Sequence, residues 1–168
     1  ETGGGVKSSD AQELFITYRA ASIINHAIGF DLLLKASKTY EWELNLSEIA
    51  RIWTNGCIIR SGFMEDLIDL FKASPSANIL LTREIATELS EMKPFFLDTL
   101  VAIIRTGCPM QLLSAAANYF LSFTSGQSSA NMIQAQRDYF GAHTYERTDK
   151  PRGEFFHTNW LDREEDGL

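Results

Sequence analysis

The sequence predicts an all-α fold followed by an extended C-terminal tail, and three observations carry that expectation. Apolar residues recur at three- and four-residue steps over most of the chain. No run of period-two alternation occurs before Gly141. Several of the periodic stretches are bounded by residues that start or stop helices, with Asp10, Asn45 or Thr82 ahead and Gly56, Pro75 or Gly107 behind. The boundaries that follow are a tag or loop remnant over 1–9, a helical domain over 10–140 and an extended tail over 141–168.

Asp10 with Glu13 three residues later forms a variant capping box. Leu14, Phe15, Tyr18, Ala21, Ile24, Ala27 and Ile28 continue at helical spacing, and the pattern runs towards Tyr40 with Gly29 inside it. A helix of about 30 residues results, against an average near 11. Asn45 and Glu48 open a second helix, which Asn55-Gly56 closes. A third is expected to carry Ile58, Ile59, Phe63, Met64, Leu67, Ile68 and Phe71, stopping before Pro75. Thr82 caps a fourth through Ile85, Leu89 and Met92, and Pro94 suits the first position of a fifth, closed by Gly107 and Pro109. Leu112, Leu113, Ala116 and Phe120 mark a sixth, and Asn131 to Phe140 a short last one. The tail holds Tyr145, Phe155, Phe156 and Trp160, which a disordered segment normally lacks, so it is expected to dock. Asp162 to Asp166 reads as a solvated acidic end.

The chain has 168 residues and a formal net charge of −7. That balance disfavours broad attraction to nucleic acid or anionic membrane, while leaving room for a local anion site. No apolar run approaches the roughly 18 residues a membrane span needs, and no signal peptide is visible at the N-terminus. The 2 cysteines, Cys57 and Cys108, and the 3 histidines, His26, His143 and His157, show no metal-ligand spacing, so reduced, buried thiols and no metal are expected.

Arg137 and His143 stand six residues apart in Gln134-Ala-Gln-Arg-Asp-Tyr-Phe-Gly-Ala-His143. On one continuous helix six residues turn about 600°, which leaves the two side chains about 120° apart. A left-handed cap at Gly141 would let the chain turn and bring His143 back towards Arg137. An Arg beside a His suits a phosphate or sugar-acid group. The plainer reading is that Arg137 neutralises the helix C-terminus and pairs Asp138 or a local carbonyl. Arg60, expected in the first turn of an apolar helix, is best read as half of a buried ion pair. Cys57 lacks a His partner for catalysis. His26 reads as a satisfied core histidine, His157 as a residue that orients the tail, and Glu84, Glu88 and Glu91 as one exposed helix face. No dinucleotide fingerprint, P-loop or nucleophile elbow is present, so these residues hold no complete catalytic apparatus.

Ile133-Gln-Ala-Gln-Arg-Asp-Tyr-Phe-Gly-Ala-His-Thr-Tyr-Glu146 closely resembles the C-terminal signature of the decarboxylating 6-phosphogluconate dehydrogenases. Gly56-Cys-Ile-Ile-Arg-Ser61 and Phe156-His-Thr-Asn-Trp160 agree in the same order, as does the long first helix. The resemblance implies the distal half of that family's helical domain plus its tail. An NADP-binding Rossmann domain and the family's catalytic lysine and glutamate would lie upstream, so no catalytic residue is expected here. It also implies a cytoplasmic, homodimeric oxidoreductase of the pentose phosphate pathway and gluconate utilisation, converting 6-phosphogluconate to ribulose 5-phosphate. In the family an arginine and a histidine from the tail region bind substrate in the partner subunit's site, and by motif they fall on Arg137 and His143. This reverses the plainer reading of that pair. The resemblance implies neither nucleic-acid nor membrane partners.

Thr54-Asn55 replaces the family's more usual basic-Gly pair, and Asn25-His26 stands where Ser-Tyr is common. The sequence runs only a few residues beyond Trp160, without the glycine- and serine-rich extension of animal members, which suggests a bacterial-type form. The rival expectation is a stand-alone helical interaction module that no longer serves catalysis. The coding sequence upstream of Asp10 discriminates: a Rossmann fingerprint there favours the enzyme.

Overall fold

The structure is a computed structural model and describes residues 8–160. Its first helix, α1 (Ser8–Tyr40), is 33 residues long. It begins two residues ahead of the expected cap, so of the segment read as a remnant only residues 1–7 lie outside the described residues, as does the acidic end. The middle of α1 buries Thr17, Ala20, Ala21, Ile23, Ile24, Ala27 and Phe30. Three alanines on that face let another helix approach closely. Leu14, Phe15 and Tyr18, expected on the same stripe, are instead exposed, and the buried face is the one that begins at Thr17. The helix ends without glycine: Glu41 and Glu43 both take positive φ, and Ser37 Oγ accepts from Leu44 N–H at 2.9 Å.

Helix α2 (Leu46–Trp53) starts as expected, with the Asn45 side chain accepting from Glu48 N–H at 3.2 Å. Gly56, at φ +74°, helps turn the chain out of it. Helix α3 (Gly62–Ala73) is capped by Ser61, whose Oγ accepts from Met64 N–H at 3.2 Å. Ile58, Ile59 and Arg60 therefore sit in the turn ahead of α3, not inside it, because the Ser61 cap fixes the start later than the apolar pattern does. Ile58 is fully exposed, and Arg60 is exposed with no ion pair among the described residues, against the expectation of a buried one. Ser47 Oγ donates to Ile68 O at 2.9 Å and ties α2 to α3. Phe30, Phe71 and Trp53 pack as tilted rings, 4.9 Å and 5.4 Å between centroids.

A 3₁₀ turn (Ile79–Leu81) that periodicity does not announce precedes α4 (Arg83–Arg105). Pro94 lies inside α4, so the expected fourth and fifth helices are one. The missing N–H costs a single backbone bond, and Leu89, Phe96, Thr99 and Leu100, buried on either side of the proline, hold the helix together. Thr82 marks the start of α4, but its hydroxyl donates back to Ile79 O at 2.9 Å and caps no helical N–H. Glu88 leaves the expected exposed face and pairs with Arg19 of α1. Helix α5 (Gln111–Phe123) adds Ala116, Ala117 and Phe120 to the core.

The thiols are free, Cys57 half-buried and Cys108 exposed, so neither is the buried thiol expected. His26 lies within 2.7 Å of Ser22 O through Nδ1, but its buried Nε2 has no partner, so it is only half satisfied. No helix among the described residues is long and apolar enough to cross a membrane.

The chain divides into two compact units, Glu1–Leu121 and Ser122–Leu168. The second takes α6 (Ala130–Gly141) together with the tail, so by packing the seam falls ahead of residue 141, where the extended tail is expected to begin. In the tail, β1 (Tyr145–Glu146) pairs antiparallel with β2 (Phe155–Phe156), Tyr145 opposite Phe156. Glu146 closes the intervening loop by accepting from Gly153 N–H at 2.6 Å and Arg152 Nη1 at 3.0 Å. Arg147 is fixed to Asp149 by two bonds, at 2.8 Å and 2.6 Å, and lies over the Phe156 ring.

Candidate functional site

The second unit is organised around a carboxylate. Asp138, in the last turn of α6, is fully buried and is the one residue of this unit so buried among the described residues. Its Oδ1 accepts from Thr144 N–H at 3.0 Å and contacts His157 Nδ1 at 2.9 Å. Its Oδ2 accepts from Thr158 N–H and Trp160 Nε1–H, both at 2.9 Å. A carboxylate offers about four lone-pair sites, and four donors fill them. Burial acts to raise its pKa, but the donors at Thr158, His157, Trp160 and Thr144 outweigh that and hold the carboxyl well below the usual range. The tail thus docks on α6, with the Trp160 ring edge-on to Tyr139 at 6.1 Å.

Arg137, immediately before Asp138, is exposed, and its side chain has no hydrogen bond or ion pair among the described residues. The plainer sequence reading gave it Asp138 or a local carbonyl as a partner. That carboxylate is fully committed elsewhere. The left-handed cap falls on Ala142 (φ 49°, ψ 41°), one residue later than expected, and Gly141 completes α6. Thr144 is also left-handed, at φ 60°, so His143 sits between two strained non-glycine residues. The turn folds the imidazole back over Gly141, where an added Cβ would stand 2.8 Å from His143 Nε2. His143 is exposed, and no hydrogen bond joins it to Arg137. The two belong to one short segment at the end of α6, free of other commitments.

Asp138 is the organising residue of this unit that sequence reasoning passed over. An acid next to an arginine on a polar helix carries no signal of burial. Its donors lie in the tail, at His157, Thr158 and Trp160, and the one at Thr158 is a backbone N–H that residue type does not announce.

A family model described as 6-phosphogluconate dehydrogenase, C-terminal domain, matches residues 6–160. The chain belongs to this family. Among similar relatives, the decarboxylating 6-phosphogluconate dehydrogenase of Treponema pallidum is 47% identical over 141 residues, covering 83% of this chain and 29% of that protein. Those of Synechocystis and Haemophilus influenzae are each 44% identical, over 84% and 86% of this chain and 30% of each relative. A solved Plasmodium falciparum 6-phosphogluconate dehydrogenase, described in its apo form and in complexes with NADP+ and with 6-phosphogluconate, aligns with TM-score 0.83 and 32% identity. That alignment covers 95% of this chain and 34% of the Plasmodium one. The chain spans about three tenths of the length of the curated 6-phosphogluconate dehydrogenases it matches.

Among the described residues the strands are β1 and β2, a hairpin, with no strand–glycine loop–helix unit. These residues do not fit a dinucleotide cradle of the Rossmann kind. Nor, among the described residues, does any group of three His, Cys, Asp or Glu side chains suit a metal ion.

Proposed function

We propose that this chain is the C-terminal part of a cytoplasmic, NADP-dependent decarboxylating 6-phosphogluconate dehydrogenase. The parent enzyme oxidises 6-phosphogluconate to a 3-keto acid, with the hydride passing to NADP, and the 3-keto acid loses carbon dioxide to give ribulose 5-phosphate. The cofactor, the general base and the general acid are supplied by the upstream part of the enzyme. This chain's contribution is recognition: Arg137 and His143 bind the substrate's anionic end in the partner subunit's site. Arg137 supplies a planar, permanently charged fork suited to a phosphate, and His143 a second donor from the adjoining turn.

The observation that carries this reading is the division of labour between neighbours. Asp138 is saturated by four donors, which leaves the Arg137 guanidinium exposed and uncommitted. Exposed apolar side chains support a homodimer. Met132 and Phe140 are each 74% exposed and Phe155 66%, a large apolar surface for a unit this small. Burying each such side chain is worth about 1.5–3 kcal/mol, which favours a two-fold assembly with the tail in intersubunit contact.

The test mixes two full-length variants under subunit exchange, one Arg137→Ala and one altered only in its upstream catalytic lysine. Half the sites in each heterodimer then combine an intact lysine with an intact tail, and 6-phosphogluconate-dependent NADP reduction partly returns. No recovery on mixing sinks the shared site. The 168-residue chain alone should reduce no NADP, and turnover by it overturns the division of labour.

A further inference from the structure

We propose that Asp138 is the positioning residue of the substrate-binding pair, setting the turn that carries His143 and locking that turn to the tail. The inference rests on the reading of Arg137 and His143 given above. Three geometric facts support it. Asp138 adjoins Arg137 in the chain, so the carboxylate that anchors the end of α6 also fixes the backbone from which the guanidinium projects. The two left-handed residues flanking His143, Ala142 and Thr144, are costly for side chains with a Cβ. Such a turn persists only when other bonds over-determine it. Ala142 N–H donates to Asp138 O at 2.9 Å and Thr144 N–H to Asp138 Oδ1 at 3.0 Å, so one residue holds both. The other oxygen reaches Thr158 N–H and Trp160 Nε1–H, which makes the pose of His143 depend on a docked tail.

The required chemistry is a full-charge acceptor on both oxygens. In Asp138→Asn one oxygen becomes an NH₂ group facing two of the four donor atoms, of which at least one is a backbone N–H that cannot change role. The turn or the tail contact must then give way while the size of the side chain is kept.

The test uses the full-length enzyme and steady-state kinetics for both substrates. Asp138→Asn should raise KM for 6-phosphogluconate about tenfold, with kcat within about twofold and KM for NADP unchanged. General damage to the fold would move all three. Combined with Arg137→Ala, its effect on that KM should fall well short of multiplying, because both variants disable one unit. Trp160→Phe keeps a ring against Tyr139 and removes one donor to Asp138, so it should raise the same KM by a smaller factor. If Asp138→Asn does not fold, Trp160→Phe decides. Should Arg137→Ala and His143→Ala leave that KM unchanged, the substrate-binding reading fails and takes this proposal with it. If those two raise it while Asp138→Asn and Trp160→Phe do not, the positioning role alone is overturned.

Discussion

Trp160 Nε1–H donates to Asp138 Oδ2 at 2.9 Å, across 22 residues of chain. With Thr158 N–H on the same oxygen, this bond closes a tail that has no buried apolar core among its described residues. A unit of this size lacks the hydrophobic burial to hold itself, so a saturated buried carboxylate takes on much of the ordering.

The tail's order should therefore depend on acid in a defined direction. The folded pKa of Asp138 lies below its ordinary value of 3.8, so its stabilisation is fully present above that value. It is lost progressively as pH falls from there towards the folded pKa. Amide exchange of Thr144 and Thr158 should stay slow from neutral pH to about pH 4, and protection should fall only below it. Loss of protection between pH 7 and 5 contradicts the assignment.

Gly141→Ala separates stability from binding. Gly141 is helical and not left-handed, so alanine should be tolerated or should add up to about 1 kcal/mol through helix propensity. The new Cβ would meet His143 Nε2 at 2.8 Å and displace the ring. The melting temperature should hold or rise while the full-length enzyme's KM for 6-phosphogluconate increases. An unchanged KM would show that this pose of His143 is not the binding one.

Pro94→Ala should stabilise the helical unit. It restores an N–H to the interior of α4 at an exposed position, and the gain should be about 1–2 kcal/mol. A shift of the urea midpoint to higher concentration, at unchanged slope, measures it.

Phe71→Ala should cost about 3–5 kcal/mol, because the side chain is 1% exposed and packs on Phe30 in the centre of its unit. Denaturant unfolding measures the loss, and a cost under about 1 kcal/mol would mean that this core is not assembled as described.

The local chemistry of the chain determined most of its helices. The cap at Asn45, the stripes on α3 and α5, and the length of α1 all follow from interactions within a few residues, which the sequence spells out directly. Local rules also misplaced particular features, each for a physical reason. Pro94 was expected to start a helix, but buried neighbours on both sides outweigh one lost bond. Ile58 and Ile59 were expected inside α3, but a capping serine sets the boundary. Arg137 and His143 were expected as a pair from the family signature. What freed Arg137 was not, because it depends on Thr158 and Trp160 finding Asp138 some twenty residues away in sequence. Burial of a carboxylate is decided by donors that converge from distant parts of the chain. Residue order sets which donors exist, and the fold alone decides that they meet.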